Sequence, residues 1–198
     1  MRALGWNCQG LGNPRSVRAL CNLVQQWDPD FVFLSETKLK KKSMEKKKVS
    51  VGFINGLVIL SHGRSGGLAF LWKKEITVNV QSYSDRHIDA IITEDSRFKW
   101  QITEFYGNLE VQRKESWDLL KALSKKFQLL WLCFGDFNEI ALAGKKWGEL
   151  EDLRDRWMIL GKQLIAIGLW ILGIVVQNSH GAIYKMEETK CIFDWITL

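Results

Sequence analysis

Leu129 to Asn138 reads LLWLCFGDFN. Six apolar residues without helical period run into Gly135-Asp136-Phe137-Asn138, the pattern of a buried strand that ends in a tight turn. An acid and an amide two apart at the mouth of such a strand make poor core residues, because a carboxylate costs several kcal/mol to bury unless it is paired or bound to metal. On these residues alone, Asp136 is either a turn cap or a functional group.

Working back toward the start, the same signature recurs. Arg2 to Trp6 reads as a short strand ending in Asn7-Cys8-Gln9-Gly10. Asn13-Pro14 is a helix start, and Val17, Leu20, Cys21, Val24 and Trp27 form an apolar stripe as far as Asp28-Pro29-Asp30. Phe31 to Leu34 is a second buried strand, closed by Ser35-Glu36-Thr37. The segment Val51 to Leu60 carries no decisive pattern. Leu68–Trp72, Ile76–Ser82, Ile88–Thr93 and Lys99–Tyr106 read as successive strands of an antiparallel meander. Gln112 to Phe127 and Glu151 to Ile167 carry helical stripes. Strands in runs, with one strand-helix-strand unit, predict an α+β sandwich with sheets inside and helices outside.

Composition narrows the class. With 198 residues, 46% apolar and ten Trp, the chain can build one packed domain. The four Cys (Cys8, Cys21, Cys133, Cys191) lack paired metal-ligand spacing, which predicts a reducing, intracellular compartment. The start lacks a secretory pattern, and the apolar stretch Leu164–Val176 is shorter than the roughly 20 residues a membrane helix needs. The net charge of +6 permits a polyanionic partner. Its densest source is Lys38, Lys40, Lys41, Lys42, Lys46, Lys47 and Lys48, interrupted by Glu45. This run is either a solvated face or a contact for a phosphate backbone.

Four polar groups therefore stand at strand ends: Asn7, Glu36, Tyr106 and Asp136 with Asn138. Should those strands share an edge, two carboxylates and two amides meet in one cleft. Hard oxygen donors of this kind suit Mg²⁺, with Mn²⁺ as the alternative. The chemistry they fit is metal-assisted phosphodiester hydrolysis with an Asp orienting or deprotonating water. Each member also has a bland reading: turn residue for Asn7 and Asn138, cap partner for Glu36, core aromatic for Tyr106.

Five ordered motifs carry a resemblance. Trp6-Asn7-Cys8-Gln9-Gly10, Ser35-Glu36-Thr37-Lys38, Arg64-Ser65-Gly66-Gly67-Leu68-Ala69, Phe105-Tyr106-Gly107 and Gly135-Asp136-Phe137-Asn138-Glu139 resemble the endonuclease/exonuclease/phosphatase superfamily. More narrowly, they resemble the endonuclease domain of plant non-LTR (LINE-type) retrotransposons. The resemblance covers roughly residues 1 to 170 and implies a four-layered α/β sandwich, two packed and mostly antiparallel sheets flanked by helices. It implies an Mg²⁺-dependent nick in DNA that primes reverse transcription, and hence a nuclear location. Carried over, Asn7 and Glu36 resemble the metal-site amide and carboxylate, and Tyr106 the phosphate contact. Asp136 resembles the residue that activates water, and Asn138 its phosphate-contacting partner. Lys38, Lys40, Lys41 and Lys42 would lie along the DNA backbone.

The sequence also departs from the family. Ile171 stands where the family has Asp in Gly168-Leu169-Trp170-Ile171-Leu172-Gly173, and Thr197 where a catalytic Asp closes a strand. The family's final Ser-Asp-His has no counterpart within the 198 residues. These departures predict a single domain over 1–198, truncated, with a degenerate end at 170–198 and its last strands incomplete. Three readings follow: a DNA endonuclease with impaired activity, an enzyme of the same fold on RNA or a small phosphoester, and a nucleic-acid-binding remnant without turnover.

Overall fold

The computed structural model describes residues 1–61, 66–94, 98–106, 113–136, 180–187 and 190–197. The first strand, β1 (Arg2–Asn7), lies parallel to β2 (Phe31–Ser35), with Asn7 opposite Ser35. Between them runs α1 (Pro14–Trp27). Asn13 caps it by accepting from the Arg15 amide at 2.9 Å, with proline at the first turn, and Asp28 ends it in a left-handed conformation. The stripe read from the sequence faces inward, with Leu23 joining Leu20 as its most buried members.

The lysine run forms α2 (Lys41–Ser50), held by only two buried side chains, Met44 and Lys48. Beyond it come β3 (Asn55–Ile59) and β4 (Leu68–Trp72). A second sheet follows, built from β5 (Thr77–Tyr83), β6 (His87–Glu94), β7 (Phe98–Tyr106) and β8 (Leu130–Asp136), with α3 (Arg113–Lys126) connecting the last two. The hairpin β9 (His180–Glu187) and β10 (Lys190–Thr197) returns to the first sheet, where β9 pairs antiparallel with β1. The sheet orders are β10-β9-β1-β2-β4-β3 and β5-β6-β7-β8. Among the described strands only β1–β2 and β7–β8 are parallel pairs, so the expected mostly antiparallel sandwich is the observed architecture.

One expectation is corrected. The meander does not start at Leu68: β4 pairs with β2 and β3 in the first sheet, and the meander is β5-β6-β7 alone. The physical reason lies in the burial of β4, which is covered on both faces. Leu68 and Phe70 point toward the second sheet, and Ala69 and Leu71 toward the helices. A central strand of this kind carries no alternation to tell which sheet owns it. The helix expected at Glu151–Ile167, the apolar stretch Leu164–Val176 and the Gly168–Gly173 motif lie outside the described residues.

Two cores hold the layers together, one between the sheets and one between the first sheet and its helices. Phe31, Phe33, Phe70, Ile88, Ile92, Trp100 and Ile102 fill the space between the sheets. Phe33 stacks on Phe70 with ring centroids 4.0 Å apart, and Phe31 meets Trp100 of the second sheet edge-on at 5.8 Å. Leu4, Trp6, Leu20, Leu23, Val32, Leu34 and Met44 form the other layer, on the face of the first sheet that carries α1 and α2.

Candidate metal and phosphate site

Both parallel strand pairs end at the same edge of the sandwich. There Tyr106, the last residue of β7, donates its hydroxyl to Glu36 Oε1 at 2.7 Å. This bond crosses from one sheet to the other. Asn7, the last residue of β1, is buried at 8% exposure. Its Oδ1 accepts from the Gln9 amide at 3.2 Å, and its side chain also bonds the Glu36 carboxylate. The register of β7 and β8 sets Asp136 directly opposite Tyr106. Asn7, Glu36 and Tyr106 are thus brought together as expected, and the backbone of Asp136 arrives beside them. Asn138 lies outside the described residues.

The turn that presents Glu36 is unusual. Glu36 and Lys38 both have φ of 52°, a left-handed conformation that side-chain-bearing residues avoid. Four backbone bonds hold the segment: Cys8 N to Ser35 O at 3.0 Å, Leu11 N to Thr37 O at 3.0 Å, Thr37 N to Gly67 O at 3.0 Å, and Lys38 N to Gly66 O at 3.2 Å. Gly66 and Gly67 have φ of 75° and 90°, and a Cβ on Gly67 would press on the Thr37 hydroxyl. The glycine pair of the Arg64–Ala69 motif is therefore a backbone clamp on the carboxylate's turn, while Arg64 and Ser65 lie outside the described residues. At the other end, Gly135 has φ of 139°, and a Cβ there would overlap the Phe105 carbonyl. Glycine before Asp136 lets β8 approach β7 that closely.

Fold and geometry can now be set beside known proteins. The model of the endonuclease/exonuclease/phosphatase family matches residues 4–161. The chain belongs to this family. Among solved structures it is similar to D. rerio TDP2 complexed with single strand DNA product, at 17% identity and a TM-score of 0.53, covering 71% of this chain and 62% of that one. An AP endonuclease from Archaeoglobus fulgidus gives 16% identity and a TM-score of 0.52, over 84% of this chain and 70% of that one. The human Nocturnin catalytic domain with bound sulfate anion gives 14% and 0.50, over 71% and 64%. These likenesses are likenesses of fold, and the chain spans less than two thirds of the TDP2 and Nocturnin chains. No curated protein sequence matches.

Within this endonuclease/exonuclease/phosphatase domain the electrostatics are specific. Partial burial pulls the Glu36 carboxyl upward, but bonds from Tyr106, Lys38 and Asn7 outweigh it and hold the group below the ordinary carboxylate range. Lys38 Nζ stands 2.9 Å from Glu36 Oε2. Cys8 is no rival ligand: burial pushes its thiol up to about 12, and Sγ donates to the Ser35 carbonyl at 3.0 Å. What remains is a hard-oxygen set, a partly exposed carboxylate with an amide and a phenol beside it. That set fits a hard divalent cation, which needs one or two carboxylates and fills its remaining positions with water. The residues that would hold it are Glu36 and Asn7. Among the described residues, no three His, Cys, Asp or Glu side chains cluster into a multidentate site.

The four lysines divide. Lys40, Lys41 and Lys42 are exposed at the start of α2, whereas Lys38 belongs to the Glu36 pair. Sequence reasoning missed one group altogether. Glu104, on β7 two residues before Tyr106, is 3% exposed, and its Oε2 has no hydrogen-bond partner among the described residues. Burial raises its carboxyl well above the ordinary value. The signal was available: in strand alternation Glu104 shares a face with Trp100 and Ile102, so an acid stood on the apolar side. His87 is buried and hydrogen-bonded to Ser82 and Ser84 at 3.1 and 2.8 Å. No described helix is long and apolar enough to cross a membrane.

Proposed function

We propose that this chain derives from a metal-dependent DNA endonuclease of the plant LINE retrotransposon type, one that nicks target DNA to prime reverse transcription. The observation that carries the reading is the bond between Tyr106 and Glu36, because it joins the expected phosphate contact to the expected metal carboxylate across two sheets. Glu36 and Asn7 would hold Mg²⁺ or Mn²⁺, which when bound offsets phosphate charge and polarises the scissile ester. Tyr106 would donate to a phosphate oxygen. Asp136 would orient and deprotonate the attacking water, with Asn138 on the phosphate. The exposed Lys40, Lys41 and Lys42 would track the backbone by charge alone. In support of DNA over a small phosphoester stand the +6 charge and that lysine row. A nuclear site of action follows from the substrate.

A second reading has its own observation. Ile171 and Thr197 stand where the resembled enzymes place carboxylates, and loss of one member of a coupled catalytic unit costs orders of magnitude in rate. A descendant that binds nucleic acid without cutting it would show this pattern. Nicking of supercoiled plasmid with Mg²⁺ separates the two, with EDTA and Asp136→Ala as controls. Metal-dependent nicking that Asp136→Ala abolishes supports the enzyme. A protein with a cooperative melt that shifts DNA at low salt, yet leaves plasmid intact, is the binding remnant.

A further inference from the structure

We propose that Lys38 is a resident counterion of the Glu36 carboxylate, which a divalent cation must displace and which then serves as a contact for the substrate phosphate. The inference rests on the metal reading of this site and adds a competitor to it.

Three observations converge. The two carboxylate oxygens of Glu36 are divided between different partners, Tyr106 at Oε1 and Lys38 Nζ at Oε2. The backbone twice adopts the left-handed conformation, at Glu36 and at Lys38, with the intervening Thr37 buried at 1% exposure. Such conformations persist only where the surroundings over-determine them, and they cluster at functional sites. Here the four backbone bonds of the clamp impose them, and the result is an acid and a base held side by side at the cleft. Finally, the Lys38 stem passes Gly10, whose Cβ, were there one, would sit 3.7 Å from Lys38 Cδ. Glycine at that position leaves the stem without a Cβ against it, and the Lys38 side chain is 35% exposed. The ammonium is thus on a flexible stem with room to leave.

Charge explains the order of events. With Lys38 in place the pair is neutral and draws a phosphodiester weakly. A divalent cation would compete for Oε2 and repel the ammonium, and Glu36, Lys38 and the cation together would then carry a net charge of about +2. Phosphate affinity becomes conditional on the cation, and the lysine that left the carboxylate is already beside the phosphate.

The test is Mn²⁺ binding by the full chain without DNA, followed by electron paramagnetic resonance, for the wild type, Lys38→Met, Lys38→Gly, Lys38→Arg and Glu36→Gln. Glycine suits the left-handed backbone, so Lys38→Gly reports even should Lys38→Met fold poorly. A partly exposed pair of this kind holds its partner only modestly, so removing Lys38 should tighten Mn²⁺ about fivefold in both neutral variants. Lys38→Arg should return the affinity to within about twofold of wild type. A second arm measures how much Mn²⁺ enhances binding of a DNA oligomer, which should shrink in Lys38→Met. Unchanged or weaker Mn²⁺ binding in both neutral variants overturns the counterion and leaves the metal site standing. Absence of Mn²⁺ binding in wild type and variants alike, with Glu36→Gln no different, overturns the metal reading and the counterion with it.

Discussion

Glu104 is the residue whose chemistry most opposes its surroundings. Its neighbours along the same face of β7 are Trp100, Ile102 and Tyr106, and its carboxyl is held protonated by burial. Below the ordinary value of 4.5 folded and unfolded chains both keep the proton, and Glu104 is neutral with respect to pH. Above it the unfolded chain releases a proton that the folded chain retains. Stability therefore falls as pH rises, by about 1.4 kcal/mol per pH unit for this group, until the folded carboxyl itself ionises. Asp89, also raised by burial, acts in the same sense. Glu104→Gln should flatten the curve: the variant gains on the wild type between pH 5 and pH 7, read as the difference in urea midpoints. Parallel pH profiles for the two proteins would remove the buried acid from the explanation.

At the scale of elements, legibility depended on whether a face was half wet. The helix α1 announces itself by a cap, a proline and a one-sided stripe, and β5, β6 and β7 by turns and strand length. The convergence of Asn7, Glu36 and Tyr106 was legible because each follows an apolar strand directly. The role of Gly66 and Gly67 was not, since a clamp made of backbone bonds leaves no chemical signature in side chains. The sheet assignment of β4 was hidden by its burial on two faces. The helix α2 was opaque for the opposite reason: KKSMEKKKVS has no apolar stripe, and it holds to the body through Met44 and Lys48, the latter paired with Glu45 at 2.7 Å. So thin an anchorage has a measurable consequence. Met44→Ala removes an interaction of about 2–5 kcal/mol, more than a ten-residue helix of this composition supplies on its own. Amides of residues 41–50 should lose hydrogen-exchange protection while those of β1 and β2 keep theirs. Loss spread evenly over the first sheet would mean α2 is part of one cooperative block.

For the molecule as a whole, the aromatic layer decides whether two sheets behave as one body. Phe70 stacks on Phe33, lies 5.9 Å from Phe31 and 5.0 Å from Trp72, and sits where the sheets face each other. Phe70→Ala should cost about 3–5 kcal/mol, a large share of the 5–15 kcal/mol typical of a domain. Tryptophan fluorescence and far-UV circular dichroism should still report one coincident transition, displaced to lower urea. Two separated transitions would indicate sheets that unfold independently.

The hydroxyl of Tyr106 and the carboxylate of Glu36 are 70 positions apart in the chain and belong to different sheets. Neither half of the sandwich owns the site. A molecule whose sheets have formed but not yet met has Asn7 and Glu36 on one side and the Tyr106 phenol on the other. On the function proposed above, capture of a phosphodiester would thereby be a census of correctly closed molecules: the fraction of a preparation that binds would be the fraction whose two halves have found each other.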